Sequence, residues 1–227
     1  MGHNFVLMKK FAWHLKPIEF EEMGLQFTAN IAFENFWGNE QEKEMLLKIY
    51  ENQLSQLVDY YFNHPELFPV SPLLDSVPEY LKLSDENTLN ENKIVRYCGA
   101  GHEMLVIDVD GNEYPCHRFL PWITGKSAPK DFVNRQLSWQ PNKCNECKLI
   151  LSCPTCVGFN WETNGDTGIR TTYHCESYKL EVLASTRLEA LRLGKYTPGE
   201  LEKFPLTKAQ QIKRRLNTVF ELIEKGI

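Results

Sequence analysis

The cysteines of this 227-residue chain are confined to one segment, and this confinement limits the possible folds more than any other feature of the sequence. All seven lie between positions 98 and 175, and four of them fall within "CNECKLILSCPTC" at 144–156. The N-terminus has no signal-peptide pattern, which predicts a cytoplasmic location. In a reducing compartment an odd number of clustered thiols is not expected to form a disulfide framework. We therefore expect this segment to bind metal.

The spacing of the thiols bears on which metal they would bind. It can be written Cys98-x12-Gly111-x4-Cys116, then Cys144-x2-Cys147-x5-Cys153-x2-Cys156, then Cys175. Zinc ribbons usually separate their two Cys-x2-Cys turns by about a dozen residues or more, whereas five separate these two, and one zinc ion leaves three cysteines without a role. Dense thiolates suit iron–sulfur clusters, each of which takes about four cysteines. Iron–sulfur binding is the main prediction, and the alternatives are zinc and disulfide, free or redox-active thiols.

Elements outside the cysteine run predict an α+β fold. A long helix is expected over about Asn39–Asn63, because apolar residues recur there at helical spacing. These residues are Leu46, Ile49, Tyr50, Leu54, Leu57, Val58 and Tyr61. A β-rich run at 24–33 predicts a strand. A second helix should end at Gly194, and a third is expected at 206–226.

Two β-rich runs around Asp110-Gly111 predict a hairpin with a type I′ turn, since this pair favours that turn. The proline-rich stretch near position 70 marks a domain junction. We divide the chain into 1–85, a cysteine-rich domain at 86–180, and a helical tail at 181–227.

The cysteine pattern resembles the SPASM domain, the C-terminal auxiliary-cluster domain of many radical SAM enzymes. That family has C-x9-15-G-x4-C, then C-x2-C-x5-C-x3-C, then a last cysteine. Six of the seven positions here are in register. The difference is the final step of the central run, where "CPTC" has two intervening residues instead of three.

The resemblance implies two auxiliary [4Fe-4S] clusters. It assigns Cys98, Cys116 and Cys156 to the first cluster. It assigns a second set to the other cluster, namely Cys144, Cys147, Cys153 and Cys175. The first cluster then has three cysteine ligands, and its fourth iron is either open to a substrate or partner or bound by His102.

The segment before the cysteines resembles the last β-α unit of a radical SAM partial barrel, in the order of its strand, long acidic helix and linker. The Cys-x3-Cys-x2-Cys motif that holds the catalytic cluster of those enzymes is absent from this sequence. We therefore expect the chain to be the C-terminal part of a radical SAM enzyme and unable to cleave S-adenosylmethionine alone. A separate chain carrying that motif is an expected partner.

Two functions are compatible with these features. In the first, the clusters transfer electrons and anchor a peptide or protein substrate, as the resemblance implies. In the second, an iron–sulfur or zinc domain is structural and presents a surface to a protein partner. A net charge of -5 argues against nucleic acid as a partner. No run of about 18 apolar residues is present, so no membrane span is expected.

Several other side chains near the cysteines have simple structural explanations. His117 and His174 are candidates for ligands or proton carriers, but packing beside the cysteines is the commoner role. Arg118 is expected to form an ion pair, with an influence on a cluster potential as the alternative. Three tryptophans are predicted to anchor the core or loops, namely Trp37, Trp122 and Trp161. The basic run at 213–215 is predicted to lie on a solvated helix face, and the acidic residues of the hairpin are predicted to serve the turn.

Overall fold

The structure is a computed structural model that describes residues 33–69, 73, 98–101, 103–121, 144, 147, 149 and 153–195. Its elements, in chain order, are helix α1 (Glu40–Asn63), strands β1 (Val106–Ile107) and β2 (Glu113–Tyr114), a 3-10 helix (His117–Phe119), and helices α2 (Val157–Asn164) and α3 (Cys175–Leu193). The combination of helices with a small antiparallel sheet is α+β, as the sequence predicts. Apart from Phe33, the strand predicted at 24–33 lies outside the described residues, and so does the helix predicted at 206–226.

The chain forms two compact units. The helical unit combines residues 1–85 with 174–227, and the cysteine unit comprises residues 86–173. The helical unit therefore contains α1 and α3, although more than a hundred residues of sequence separate them. The cysteine unit contains the hairpin, the 3-10 helix and α2.

Helix α1 begins at a capping box. The side chain of Asn39 accepts a hydrogen bond from the backbone N–H of Glu42 at 2.9 Å, and the Glu42 carboxylate accepts one from the Asn39 N–H at 3.4 Å. Glu40 and Glu42 place negative charge where the first-turn N–H groups favour it. The helix predicted over Asn39–Asn63 is therefore confirmed.

The core of the helical unit lies between α1 and α3. Tyr50 begins the buried stripe of α1, which continues at the positions that follow it by four, seven, eight and eleven residues. These positions are Leu54, Leu57, Val58 and Tyr61. Ala184 and Leu188 of α3 complete the same cluster. Ile49, predicted to belong to the stripe, is instead exposed, because it stands one residue, or about 100° of helix rotation, before Tyr50.

Polar contacts hold the two helices in register. The Tyr50 hydroxyl is 2.5 Å from a carboxylate oxygen of Glu181, and both residues are buried. Arg192 of α3 donates to the Tyr61 carbonyl at 3.2 Å. Helix α3 ends at Gly194, whose N–H donates to the Ala190 carbonyl, and this end is the one predicted.

The predicted hairpin is confirmed, but its connection is wider than predicted. Val106 pairs with Tyr114, and the N–H of Asp108 donates to the Asn112 carbonyl at 3.0 Å. A two-residue type I′ turn at Asp110-Gly111 would instead pair residue 109 with Asn112, so that turn is wrong. The Asp108 carboxylate stabilises the wider loop by accepting backbone hydrogen bonds from residues 110 and 112, both at 2.9 Å.

Among the helices that the structure describes, none combines the length and the apolar character needed to span a lipid bilayer.

Candidate metal centre

All seven cysteines are described, and each is a free thiol. Cys98, Cys116 and Cys156 come from three separate segments of the cysteine unit. Cys98 precedes a turn, Cys116 precedes the 3-10 helix, and Cys156 is the N-cap residue of α2. The contacts between these three segments decide what the thiols can do together.

Backbone hydrogen bonds join the Cys98 segment to the Cys116 segment. The turn after Cys98 closes where the N–H groups of Glu103 and Met104 donate to the Gly99 carbonyl, both at 2.8 Å. Within this turn the N–H of Gly101 donates to the Pro115 carbonyl at 3.0 Å. Because Pro115 directly precedes Cys116, this bond links the neighbourhoods of the two cysteines.

Close packing at Gly158 brings α2 onto the 3-10 helix. A Cβ atom at this position would lie 2.5 Å from the Cβ of Arg118 and 3.5 Å from a ring carbon of Phe119. Such a separation is far below van der Waals contact, so the approach depends on glycine. Arg118 also pairs with Glu162 at 2.7 Å and lies over the Phe159 ring, 5.1 Å from its centroid.

These contacts produce a small buried core around Cys116. Cys116, Phe119 and Val157 form it, and Ala100 and Trp161 are among the partly buried residues that pack against it. One residue of the core therefore precedes the 3-10 helix, one lies in it, and one opens α2. Since Cys156 directly precedes Val157, the α2 N-terminus lies at this core.

The pKa of the Cys116 thiol is raised to about 11, and burial is the largest cause. The backbone N–H of Arg118 opposes this rise, whereas Cys156 and then Cys98 contribute to it, because each would place a second negative charge near a Cys116 thiolate. Metal binding at Cys116 must therefore release a proton at neutral pH.

Asn160 of α2 joins the loops on either side of this helix in sequence. Its side chain is fully buried, and Nδ2 donates to Thr155 Oγ1 at 3.0 Å and to the Thr167 carbonyl at 3.2 Å. Its Oδ1 accepts from the Thr171 N–H at 3.0 Å and lies 3.3 Å from the Thr171 hydroxyl. The segment that contains Cys153 and Cys156 is thereby fixed to the segment at 167–171.

The four thiols assigned to the second cluster do not all belong to one unit. Cys144 and Cys147 lie in one turn, where the Cys147 N–H donates to the Cys144 carbonyl at 3.1 Å. Arg170 donates to the backbone carbonyl of Cys153 at 3.1 Å, again within the cysteine unit. Cys175 is the first residue of α3 and belongs to the helical unit.

No group of three or more histidine, cysteine, aspartate or glutamate side chains among the described residues is arranged to hold a metal ion. The thiols of Cys98, Cys116 and Cys156 are thus close enough to interact as charges without surrounding one centre. Their chemistry nevertheless suits a thiolate-ligated group. The α2 N-terminus favours negative charge beside Cys156, and the nearby indole N–H of Trp161 is buried without a hydrogen-bond partner in the described structure.

The histidines, tryptophans and arginine singled out in the sequence do not all lie near the cysteines. His102 lies outside the described residues, and so does Trp122. His117 is exposed, whereas His174 is buried in the helical unit with its ring edge-on to Phe33, 5.0 Å between centroids. The ion pair predicted for Arg118 is confirmed.

The two remaining tryptophans and the acidic hairpin residues also agree with their simple explanations. Trp37 is buried in the helical unit, and Trp161 packs against the Cys116 core, so both anchor packing as predicted. Asp108 serves the hairpin turn. Basic residues 213–215 lie outside the described part of the chain.

Sequence reasoning missed Gly158 and Asn160. Neither belongs to a motif, and helix α2, which carries both, was not predicted. The sequence signal that was available is weak: Gly165 adopts a positive φ of 71° and ends the helix, as glycine often does.

A search of protein-family models, of curated proteins and of solved structures finds no match to this chain.

Proposed function

We propose that this chain binds two [4Fe-4S] clusters and serves as the auxiliary-cluster segment of a radical SAM peptide- or protein-modifying enzyme. Cys98, Cys116 and Cys156 would bind the first cluster. The second would use Cys144, Cys147, Cys153 and Cys175, as the resemblance assigns them. When bound, such clusters supply one-electron transfer. Cleavage of S-adenosylmethionine would require a catalytic cluster that these residues do not bind.

The observation that supports this proposal is the small buried core at Cys116, which the residue after Cys156 joins and to which the turn after Cys98 is linked by a backbone hydrogen bond. Cys116 interacts electrostatically with both Cys98 and Cys156, from segments 18 residues before it and 40 residues after it. The SPASM resemblance assigns these same three thiols to one cluster. Packing of unrelated cysteines does not require that particular set to meet.

The chain's own residues would contribute in three ways. Gly158 lets the Cys156 end of α2 approach the turn that follows Cys116. The hydrogen bond between Gly101 and Pro115 keeps the Cys98 turn at the same place. The apolar side chains that pack around Cys116 shield it from water, which strengthens electrostatic interactions at that thiolate.

Metal analysis tests the proposal. The full chain, purified without oxygen and reconstituted with iron and sulfide, should contain about eight irons and eight sulfides and absorb broadly near about 400 nm. Cys116→Ser should lose about half of the iron, because it removes a ligand of one cluster and leaves the other set intact. Ser152→Ala, within the cysteine run, is the matched control and should retain all of the iron.

The alternative outcomes are equally definite. One or two zinc ions per chain without colour would support the structural adaptor function and exclude the cluster proposal. Formation of 5′-deoxyadenosine by the chain alone would contradict the expectation that it cannot cleave S-adenosylmethionine by itself.

A further inference from the structure

The two faces of the hairpin differ in what they contact. Val106 of β1 pairs with Tyr114 of β2, and Tyr114 packs against the Cys116 core. Residues that pair directly across two strands lie on the same face, and successive residues alternate between the faces. Ile107, which pairs with Glu113, therefore lies on the face that is turned away from this core.

Large apolar side chains are exposed at and beside this second face. Leu105 is 59% exposed, Ile107 is 60% exposed and Val109 is 93% exposed. The outward face of an antiparallel sheet ordinarily carries polar residues, and adjacent exposed apolar side chains commonly mark a binding surface. These three residues form a surface that we call the hairpin stripe.

Acidic side chains surround the hairpin stripe. Between positions 98 and 116 the sequence contains four carboxylates and neither lysine nor arginine. Glu113 stands directly across from Ile107, and Asp110 lies in the loop that follows β1. Both carboxylates are exposed to solvent. A second copy of the chain would bring like charges together at this surface, whereas a cationic partner is attracted to it.

The spacing within the hairpin stripe favours an extended partner. Its members recur at every second residue, and alternate residues of an extended chain lie about 7 Å apart. An extended peptide presents side chains to one face with this same period, whereas a helix presents them at intervals of three and four residues. The apolar residues of an extended segment can therefore follow the stripe along its length.

We propose that the hairpin stripe binds an extended peptide segment of a partner, in which apolar residues alternate with lysine or arginine. The apolar residues cover the stripe, and the basic residues interact with the surrounding carboxylates. Burial of apolar area supplies affinity, and the carboxylates select against acidic segments. The inference goes beyond the proposed function, because the stripe contains no cysteine and the binding step requires no metal.

The test uses a fluorescein-labelled peptide in which valine alternates with lysine, and fluorescence anisotropy measures its binding to the reconstituted full chain. Two further peptides replace either every lysine with glutamate or every valine with serine. Ile107→Thr reduces the apolar area of the stripe but keeps a residue suited to a strand, and Glu113→Gln removes one charge. Met45→Gln and Glu51→Gln, at exposed positions of α1, are the matched controls.

We expect wild type and both control variants to bind the valine–lysine peptide with the same Kd, and we expect neither replacement peptide to bind. Ile107→Thr and Glu113→Gln should each raise the Kd several-fold, and added salt should weaken binding to wild type. Carboxyl groups are also labelled with a carbodiimide and an amine, and mass spectrometry locates the label. The bound peptide should protect Glu113 from labelling and leave the labelling of Glu51 unchanged.

The inference is overturned if wild type binds no peptide, if it binds the valine–glutamate peptide equally well, or if Ile107→Thr and Glu113→Gln match the controls. A wild-type dimer in light scattering that Ile107→Thr dissociates would assign the stripe to a second copy and would also overturn it. Iron content, measured on the same samples, separates this inference from the proposed function. A chain that binds iron but no peptide contradicts only the inference, and one that binds the peptide without iron contradicts only the proposed function.

Discussion

Replacement of Asn160 by aspartate tests the scaffold beneath the cysteines with almost no change in shape. The two oxygens of a carboxylate occupy the positions of Oδ1 and Nδ2, so the bonds from Thr171 are kept. The hydrogen bond that Nδ2 donates to the Thr167 carbonyl, 3.2 Å away, becomes a contact between two acceptors. The Thr155 hydroxyl can turn and donate, which limits the damage to one bond and one buried charge.

The loss of stability in Asn160→Asp depends on whether the new carboxyl group is ionised or protonated in the folded state. A buried acceptor left unpaired costs about 1–3 kcal/mol, and a buried carboxylate costs several more. The new carboxyl can avoid the larger cost by remaining protonated, and its O–H then donates to Thr167. Holding a carboxyl of ordinary pKa, about 3.9, protonated at pH 7 costs about 4 kcal/mol. Asn160→Asp should therefore lower the free energy of unfolding by about 4 kcal/mol at pH 7.

The pH dependence of this stability loss is a more specific test than its size at pH 7. The folded state raises the pKa of the new carboxyl, so it binds a proton that the unfolded chain has released. The loss of stability should consequently shrink by about 1.4 kcal/mol for each unit of decreasing pH between 7 and about 5. The free energy of unfolding of both proteins is measured at each pH by urea titration in the absence of oxygen, with circular dichroism and tryptophan fluorescence as the signals.

Asn164→Asp is the matched control in the same helix. The Asn164 side chain also donates to a backbone carbonyl, that of Ile169 at 2.8 Å, but it is exposed to solvent. Its replacement should cost under about 1 kcal/mol and show little dependence on pH. If Asn160→Asp behaves like this control, Asn160 does not hold the loops together and the argument is refuted.

Three further perturbations have definite expected outcomes. Burial raises the pKa of Glu181 to about 8, opposed by the hydrogen bond from Tyr50, so wild-type stability should fall by about 1.4 kcal/mol per pH unit from about 4.5 to 8. In urea titrations Glu181→Gln should abolish that slope, and equal slopes in the two proteins would contradict the assignment. Gly158→Ala should separate α2 from Arg118 at a cost of about 1–3 kcal/mol, less the roughly 1 kcal/mol that alanine gains in a helix. It should also lower iron uptake, and uptake equal to wild type would show that the close approach is not needed. Asp108→Ala removes the acceptor of the hairpin loop, so amide hydrogen exchange in the hairpin should become faster while exchange in α1 remains unchanged; protected hairpin amides would contradict this.

Local sequence signals were sufficient for helices α1 and α3. The helical spacing of apolar residues predicted α1, and Gly194 predicted the end of α3. Such signals work because each involves residues that lie within a few positions of one another. The predicted hairpin is confirmed for the same reason, although the Asp108 side chain selected a wider loop than the Asp110-Gly111 pair suggested.

The long-range contacts of the helical unit have no such local signal. The sequence marks Tyr50 as part of an apolar helix face, but nothing near it indicates that its hydroxyl meets Glu181, 131 residues later. A glutamate in a helix is ordinarily solvated, and only the packing of α3 on α1 makes this one buried and raises its pKa.

The candidate site also has features that the sequence predicts and features that only the tertiary structure shows. The sequence by itself determined which side chains are available: seven thiols in one segment, at spacings that group them into sets. The tertiary structure decided that α2 packs on the 3-10 helix through Gly158 and that the Cys98 turn is hydrogen-bonded to the residue before Cys116, since these contacts join segments up to 40 residues apart. Periodicity and spacing record the preferences of neighbouring residues, whereas the meeting of distant segments depends on how all the buried surfaces pack at once.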